Sequence, residues 1–453
     1  MGLIIGVGDT KPTFPYDYWY GVEIDTSVSN TTLKRIGRDE LHRSLPLQSK
    51  MRRCILNDSG SVNYYLNANN STKRDTGSAA NLTGADGMYM VELPCVYIKF
   101  EHDGTKQRVM MSEYPLPGFL KWDIDYISAV EATVYRPTNK LSAVCNTAAD
   151  YRGGNNNADW DSTTKNLRGK PATQISLNNF RVYARNRGEG WQCLTYQTYR
   201  KLFWLFVVEY ATLNSQAAFN AQLDANGFRQ GGLGPGVTTT TDAKWNAYNQ
   251  YYPLIPCGVT NSLGNATGVV SYTLPADFDT TTTVMSVPSY RGVENPFGHI
   301  WKWCDGIKVL GQSEAAGGQH QFYVADNPAN WVNSGVAGYD MRGLLPRANG
   351  YVKEILFGNF GDILPSLCGG GSTTYWCDYF YVTVPTSGTT EYGVRFCGSA
   401  YSGSSAGFAS ATTNHAPTDT SADIGSRLCF ATSERARQFG TQFIDLWNKV
   451  LLF

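Results

Sequence analysis

Beyond residue 230, long stretches of Gly, Ser, Thr and Asn alternate with short aromatic runs. The runs include Ile300-Trp-Lys-Trp-Cys, Tyr351-Val-Lys-Glu-Ile-Leu-Phe and Tyr375-Trp-Cys-Asp-Tyr-Phe-Tyr-Val. Turn residues punctuating short aromatic segments predict strands joined by much ordered loop. The 46 glycines, 28 tyrosines and 11 tryptophans in 453 residues fit that reading. A helical bundle or coiled coil is excluded, because either needs a surplus of Ala, Glu, Lys and Leu. Disorder is excluded too, because 13% aromatic residues give the chain ample surface to bury.

Along the chain, residues 1–16 read as a Gly/Pro arm and 17–115 as a β-rich unit. Met88-Tyr-Met-Val-Glu-Leu-Pro-Cys-Val-Tyr-Ile-Lys-Phe-Glu and Gln107-Arg-Val-Met-Met are strand-like, with a turn at His102-Asp-Gly-Thr between them. Pro115-Leu-Pro-Gly marks the expected boundary, and the pattern after it is mixed α+β. Residues 199–214 are the best helix candidate: Leu202, Leu205, Phe206 and Glu209 follow helical spacing, while Val207-Val208 keeps a strand open. A second short helix is expected over 216–225, closing at Asn226-Gly227. Residues 433–453 read as a strand or a short helix.

The 38 basic and 38 acidic residues cancel, so the electrostatic footprint of a nucleic-acid binder is missing. The first residues lack a basic segment and a long apolar run, and the longest apolar run, 202–208, is far short of the ~20 residues a spanning helix needs. The chain is therefore expected to be soluble, made in a cytoplasm and not inserted in a membrane. The ten cysteines form no C-x-x-C unit, and buried free thiols are the expectation. Gly403-Ser-Ser-Ala-Gly matches the G-x-S-x-G pattern formally, but its flanks are small polar residues rather than a strand and a helix. The five histidines show no H-x-x-x-H pair, so neither a metal site nor a cofactor is expected. His299 reads as a packed or hydrogen-bonded core residue.

The C-terminal third carries a more specific signal. Arg395-Phe-Cys-Gly-Ser-Ala-Tyr-Ser-Gly-Ser-Ser-Ala-Gly-Phe, a polar stretch and Ser421-Ala-Asp-Ile-Gly-Ser-Arg-Leu follow one another. This resembles the close of the C-type lectin fold of formylglycine-generating enzymes, and Asn295-Pro-Phe-Gly-His-Ile-Trp-Lys-Trp-Cys-Asp-Gly fits the same group. With Leu41-His-Arg-Ser-Leu-Pro-Leu-Gln-Ser, Tyr151-Arg-Gly-Gly-Asn-Asn, Tyr290-Arg-Gly, Gln230-Gly-Gly-Leu-Gly and Asn261-Ser-Leu-Gly-Asn-Ala-Thr-Gly, the chain resembles the variable proteins of diversity-generating retroelements from gut Bacteroidetes and their phages. The resemblance implies an α+β architecture. A β-rich attachment or oligomerisation domain (17–115) precedes a C-type lectin-like domain (116–453) with long ordered loops and a variable region at about 375–430.

Such retroelements randomise adenines, usually in AAY codons, so Lys, Glu, Gln, Met and Trp cannot arise at a diversified site. Residues 397–423 contain none of the five. A polar loop of Ser, Gly and Thr lacks them for its own reasons as well. The resemblance implies a ligand-binding surface formed by Tyr379, Tyr381, Ala400, Tyr401, Ser402, Ser404, Ser405, Ala409, Ser410, Thr412 and Thr413, all held outward by core strands. Tyr375, Cys377, Tyr379 and Tyr381 are expected on one strand face, which core packing would also explain. The cysteine pair that formylglycine-generating enzymes need is absent between Ser399 and His415, so no catalytic residue is expected. The implied function is binding a bacterial surface receptor, protein or glycan, as a homo-oligomeric, for instance trimeric, phage tail fibre in the virion alongside other tail proteins. A bacterial cell-surface or secreted binding protein and an oxidative enzyme are the alternatives.

Overall fold

The computed structural model describes residues 16–431 apart from 163–164, 276–277 and 279–282. The arm expected over 1–16, but for its last residue, and the strand or helix expected over 433–453 lie outside the described residues. The rest is mostly β with few helices.

Three sheets carry the architecture. The five-stranded one has the order Lys34–Gly37, Trp19–Asp25, Lys106–Ser112, Val96–Asp103, Leu120–Trp122. In Val96–Asp103, Val96, Ile98 and Phe100 alternate inward, the period-2 pattern of a sheet with one solvated face. The long strand-like run starting at Met88 breaks at Pro94. Proline offers no ladder donor, and the chain passes there from one sheet to the next. Met88–Leu93 belongs to the seven-stranded sheet, ordered Trp191–Cys193, Leu428–Phe430, Asp125–Ser128, Met88–Leu93, Arg52–Leu56, Val62–Asn67, Asn70–Arg74. Strands from both sides of the expected boundary at Pro115 share this sheet, and one buried cluster includes Tyr20, Ile98, Trp204, Phe396 and Cys429.

The nine-stranded sheet runs Asp340–Leu344, His320–Val324, Trp301–Gln312, Thr389–Cys397, Gly407–His415, Tyr379–Val382, Gly350–Phe357, Asp362–Cys368, with Ile424–Gly425 parallel against the start of Trp301–Gln312. Arg427 follows directly. Its guanidinium is buried and donates to the carbonyls of Ser128, Glu294 and Asn295, fastening the closing segment to the middle of the molecule.

The expected helix forms as Tyr196–Tyr210, three residues earlier than the periodicity indicates. The Thr195 side chain accepts from the Thr198 N–H as N-cap, and Ala211 ends the helix in the left-handed region. Every residue of it except Gln197 is buried. Its charges survive burial because each has a partner: Arg200 with Asp362 at 2.9 Å, Lys201 with Asp125 at 2.9 Å, Glu209 with Arg291 at 2.6 Å.

The helix expected over 216–225 is absent. Asn214 and Asn220 side chains accept from the backbone N–H two residues on, and Phe219 bridges to Gly231. Asx turns outcompete the helix here. The helices Leu177–Arg185 and Asp242–Asn249 were not read from the sequence; both start at hydroxyl N-caps, Ser176 and Thr241.

All ten cysteines carry free thiols. Six are buried, and Cys95, Cys145, Cys257 and Cys368 are half-buried.

Candidate recognition surface

The expected site residues divide into two groups with opposite environments. Gly407–His415 is an inner strand, paired antiparallel with Thr389–Cys397 on one side and parallel with Tyr379–Val382 on the other. Ala409, Ser410, Thr412 and Thr413 are buried in it, and Ala400 is buried in a cluster with Trp245 and Ile300. The expectation that these five project outward is therefore corrected. A run of small residues looks like surface loop in sequence, but small side chains also let neighbouring layers approach. Two of their hydroxyls are spent inside: Ser410 Oγ donates to the Tyr379 carbonyl, and Thr412 Oγ1 to Asn414 Oδ1.

The single-faced strand expected over 375–384 is shorter than its pattern. Tyr375 and Cys377 have φ of 53° and 59°, so the chain turns there and only Tyr379–Val382 is extended. Tyr379 and Tyr381 still share a face. Asp378 sits at the join, its Oδ2 accepting from the Ala409 N–H at 2.6 Å. Burial raises this carboxyl well above its ordinary range. The folded protein thus holds a proton that the unfolded chain releases above its ordinary value of 3.8, and this group alone makes stability fall as pH rises. Asp378→Asn, which cannot ionise, is expected to gain in urea midpoint over the unmodified protein as pH rises through the range above 3.8. A constant difference across that range would contradict this.

Tyr379, Tyr381, Tyr401, Ser402, Ser404 and Ser405 are the group that reaches the surface. The Tyr379 and Tyr381 rings lie 4.6 Å apart, Tyr351 packs edge-on against Tyr379 at 4.9 Å, and Trp301 backs Tyr381 at 5.9 Å. The Tyr351 hydroxyl is 3.1 Å from Ser404 Oγ. Tyr401, 41% exposed, stands over Trp245 at 5.9 Å and beside Tyr251 at 6.2 Å. These groups form one Tyr/Ser patch drawn from four segments. Tyr351 and Tyr251 were not singled out from the sequence; Tyr351 opens one of the aromatic runs, but only the pairing Tyr351↔Tyr379 brings it to the patch. Ser402 supports the patch from below, its Oγ accepting from the Ser399 N–H.

Burial, then Asp423 and Asp242, pushes the Tyr401 hydroxyl up to about 12, so it stays a neutral donor and acceptor. At the strand's end Arg395 Nη2 lies 2.6 Å from Asn414 Oδ1 and 2.8 Å from His415 Nδ1. Burial, then the Arg395 charge, lowers the His415 pKa.

The turn bearing Tyr401 is held from inside. Gln216 Nε2 donates to the carbonyls of Gly403 and Ala406, and the Ala400 N–H donates to the His299 carbonyl. His299 is fully buried, as expected of a core histidine. Its Nε2 accepts from the Leu254 and Ile255 N–H groups at 3.0 Å each, which leaves the Nδ1 proton facing Glu131 Oε2 at 2.5 Å. Lys302 closes the group, 2.9 Å from Glu131 Oε1 and donating to the Gly298 and Ile300 carbonyls.

Among the described residues no group of three or more His, Cys, Asp or Glu side chains is placed to hold a metal ion, and no helix is long and apolar enough to cross a membrane.

No family model matches the chain, and no curated protein matches it in sequence. Among solved structures it is similar to PvdO from Pseudomonas aeruginosa, with a TM-score of 0.32 and 11% identity over 78% of this chain and 100% of that one. It is also similar to the U1 variant of the Major Tropism Determinant, with a TM-score of 0.27 and 12% identity over 84% of this chain and 72% of that one.

Proposed function

We propose that the chain is a receptor-binding protein whose C-type lectin-like scaffold displays a retroelement-diversified surface, most simply as a phage tail-fibre adhesin in the virion. Its target is a bacterial surface protein or glycan. The observation that carries this reading is the patch of Tyr351, Tyr379, Tyr381, Tyr401, Ser404 and Ser405 standing on buried strands. Tyrosine gives large contact area at low conformational cost, and serine adds adaptable hydrogen bonds. Binding residues on a rigid scaffold are the usual division of labour.

Gly398, Gly407 and Phe408 have structural work beneath the patch. A Cβ at Gly398 would lie 2.7 Å from that of Ala406, one at Gly407 would strike Asp378, and Phe408 is buried. Oxidative chemistry finds no support at Cys397, which is fully buried and whose pKa is raised by that burial, away from the reactive thiolate. Homo-oligomerisation, as a trimer with other tail proteins, belongs to the same proposal.

Two measurements test it. Sequences of the gene from independent isolates should differ at Tyr379, Tyr381, Tyr401, Ser404 and Ser405 and stay constant at Ala400, Ala409, Ser410, Thr412 and Thr413. Differences scattered evenly over the chain would end the diversification reading. In binding to a panel of intact bacterial cells, Tyr401→Ala and Tyr379→Ala should each weaken attachment about tenfold or more, as hot-spot tyrosines do, with unchanged melting temperature.

A further inference from the structure

The Tyr401 end of the Tyr/Ser patch is charged. Of the charged groups acting on the Tyr401 hydroxyl, the two strongest are the carboxylates of Asp423 and Asp242. Asp242 is exposed and accepts from the Tyr251 hydroxyl; Asp423 is half-buried and accepts from Ser421 Oγ. Asp419, also half-buried, accepts from the Ala416 N–H. None of these three carboxylates is in an ion pair among the described residues. Lys244 follows Asp242 by two positions in one helix, a spacing at which side chains do not face each other.

The cation that faces Asp419 and Asp423 is Arg395, and it is already engaged. It is 4% exposed, lies 5.5 Å and 5.4 Å from the Trp301 and Trp303 ring centres, and is bonded to Asn414 and His415. His415 adds no charge at neutral pH, because burial and Arg395 hold its pKa below 6.5. Three carboxylates against one guanidinium leave this end of the patch negative.

Ring geometry narrows the partner further. The planes of Tyr379 and Tyr381 are inclined by 47°, those of Tyr351 and Tyr379 by 86°, and those of Tyr251 and Tyr401 by 52°. The rings therefore form no flat platform on which a row of neutral sugar rings could lie. An acidic glycan or a phosphate would be repelled by the carboxylates. A lysine ammonium or an arginine guanidinium needs only one ring face within about 6 Å, and its hydrogen bonds to carboxylates are charge-assisted. Tyr401 offers the ring face, and Asp242 and Asp423 the acceptors.

We propose that the partner of this patch is a protein segment presenting a lysine or arginine side chain, whose cation seats against Tyr401, Asp242 and Asp423. The inference rests on the receptor reading of the Tyr/Ser patch and narrows it to one class of partner.

Binding of the full chain to intact cells of the bacterial panel tests it. Asp242→Asn and Asp423→Asn, which keep size and remove charge, should each weaken attachment about threefold, and together about tenfold, with unchanged melting temperature. Asp423→Glu should retain most of the binding. Raising the salt from 0.05 M to 0.5 M, flagged here as about a tenfold change in ionic strength, should weaken it as well, because exposed charges are screened. Protease treatment of the cells should abolish attachment, as should acylating their lysines and blocking their arginines with a dicarbonyl reagent; periodate oxidation of their glycans should not. If Tyr401→Ala weakens attachment but the two asparagine variants and salt leave it unchanged, the receptor reading stands and the cationic partner is overturned. Loss of binding on periodate but not on protease treatment overturns it in favour of a glycan. If no strain of the panel binds, or Tyr401→Ala has no effect, both fall.

Discussion

Replacing Glu131 by Ala is expected to lower the folding free energy by about 3–5 kcal/mol, the usual cost of removing one partner from a buried ion pair. The loss would exceed the hydrogen bonds deleted, because Lys302 is fully buried and would keep its charge without a counter-ion. Burial pushes the Glu131 carboxyl up, but His299 and Lys302 outweigh it and hold the group at about 2, against an ordinary value of 4.5. A depressed carboxylate stabilises the fold above its unfolded pKa, and that contribution drains away as pH falls through the folded one. The window therefore runs from about 4.5 down to about 2, and the contribution is roughly 3 kcal/mol. Urea unfolding at a series of acidic pH values reads it: the unmodified protein should lose stability across the window, while Glu131→Ala starts lower and falls less steeply. Parallel curves would rule out the pairing as the source. Because the Ala400 N–H rests on the His299 carbonyl, the same substitution should also loosen the turn that carries Tyr401.

The second large effect is expected at Gly407. A Cβ there would lie 1.8 Å from Asp378 Oδ1 and 2.5 Å from its Cγ. The carboxyl is 2% exposed and bonded to the Ala409 N–H, so it has nowhere to retreat, and Gly407→Ala must part Tyr379–Val382 from Gly407–His415. Overpacking a core costs roughly 1–3 kcal/mol and occasionally more; with so short a contact the upper end is expected. Cell attachment should weaken with it, since Tyr379 and Tyr381 ride on the displaced strand. The mechanism predicts a coupling. Asp378→Ala alone loses the acceptor for Ala409, but in the Gly407→Ala background it should restore stability by removing the obstacle. Additive effects in that double-mutant cycle would show that the two residues do not collide.

What could be read from the sequence follows physical lines. The helix Tyr196–Tyr210 was legible because a dense apolar run admits few alternatives, although its start was set by the Thr195 cap rather than by periodicity. Tyr379 and Tyr381 were correctly placed together, since alternation survives in a short strand. Alternation failed at Tyr375 and Cys377, where positive φ turns the chain and leaves no mark in residue type. The strand Gly407–His415 misled most. Its Ser, Thr and Ala are the composition of an exposed loop, and only its neighbours on both sides make it interior. Tyr351 and Tyr251 could not be assigned to the patch at all, because strand register and a loop crossing bring them there.

Arg427 donates to the Ser128 carbonyl across 299 positions of sequence, and Leu428–Phe430 lies between Trp191–Cys193 and Asp125–Ser128. The order in which the chain leaves the ribosome then becomes a physical constraint. Asp125–Ser128 has Met88–Leu93 beside it early, but its other edge stays open until residue 430 has been made. Contacts of such separation carry a high loop-closure cost and slow the approach to the native state. For that interval an unpaired edge with Ile127 at its centre is open to the wrong partner, including the same edge of a second nascent chain.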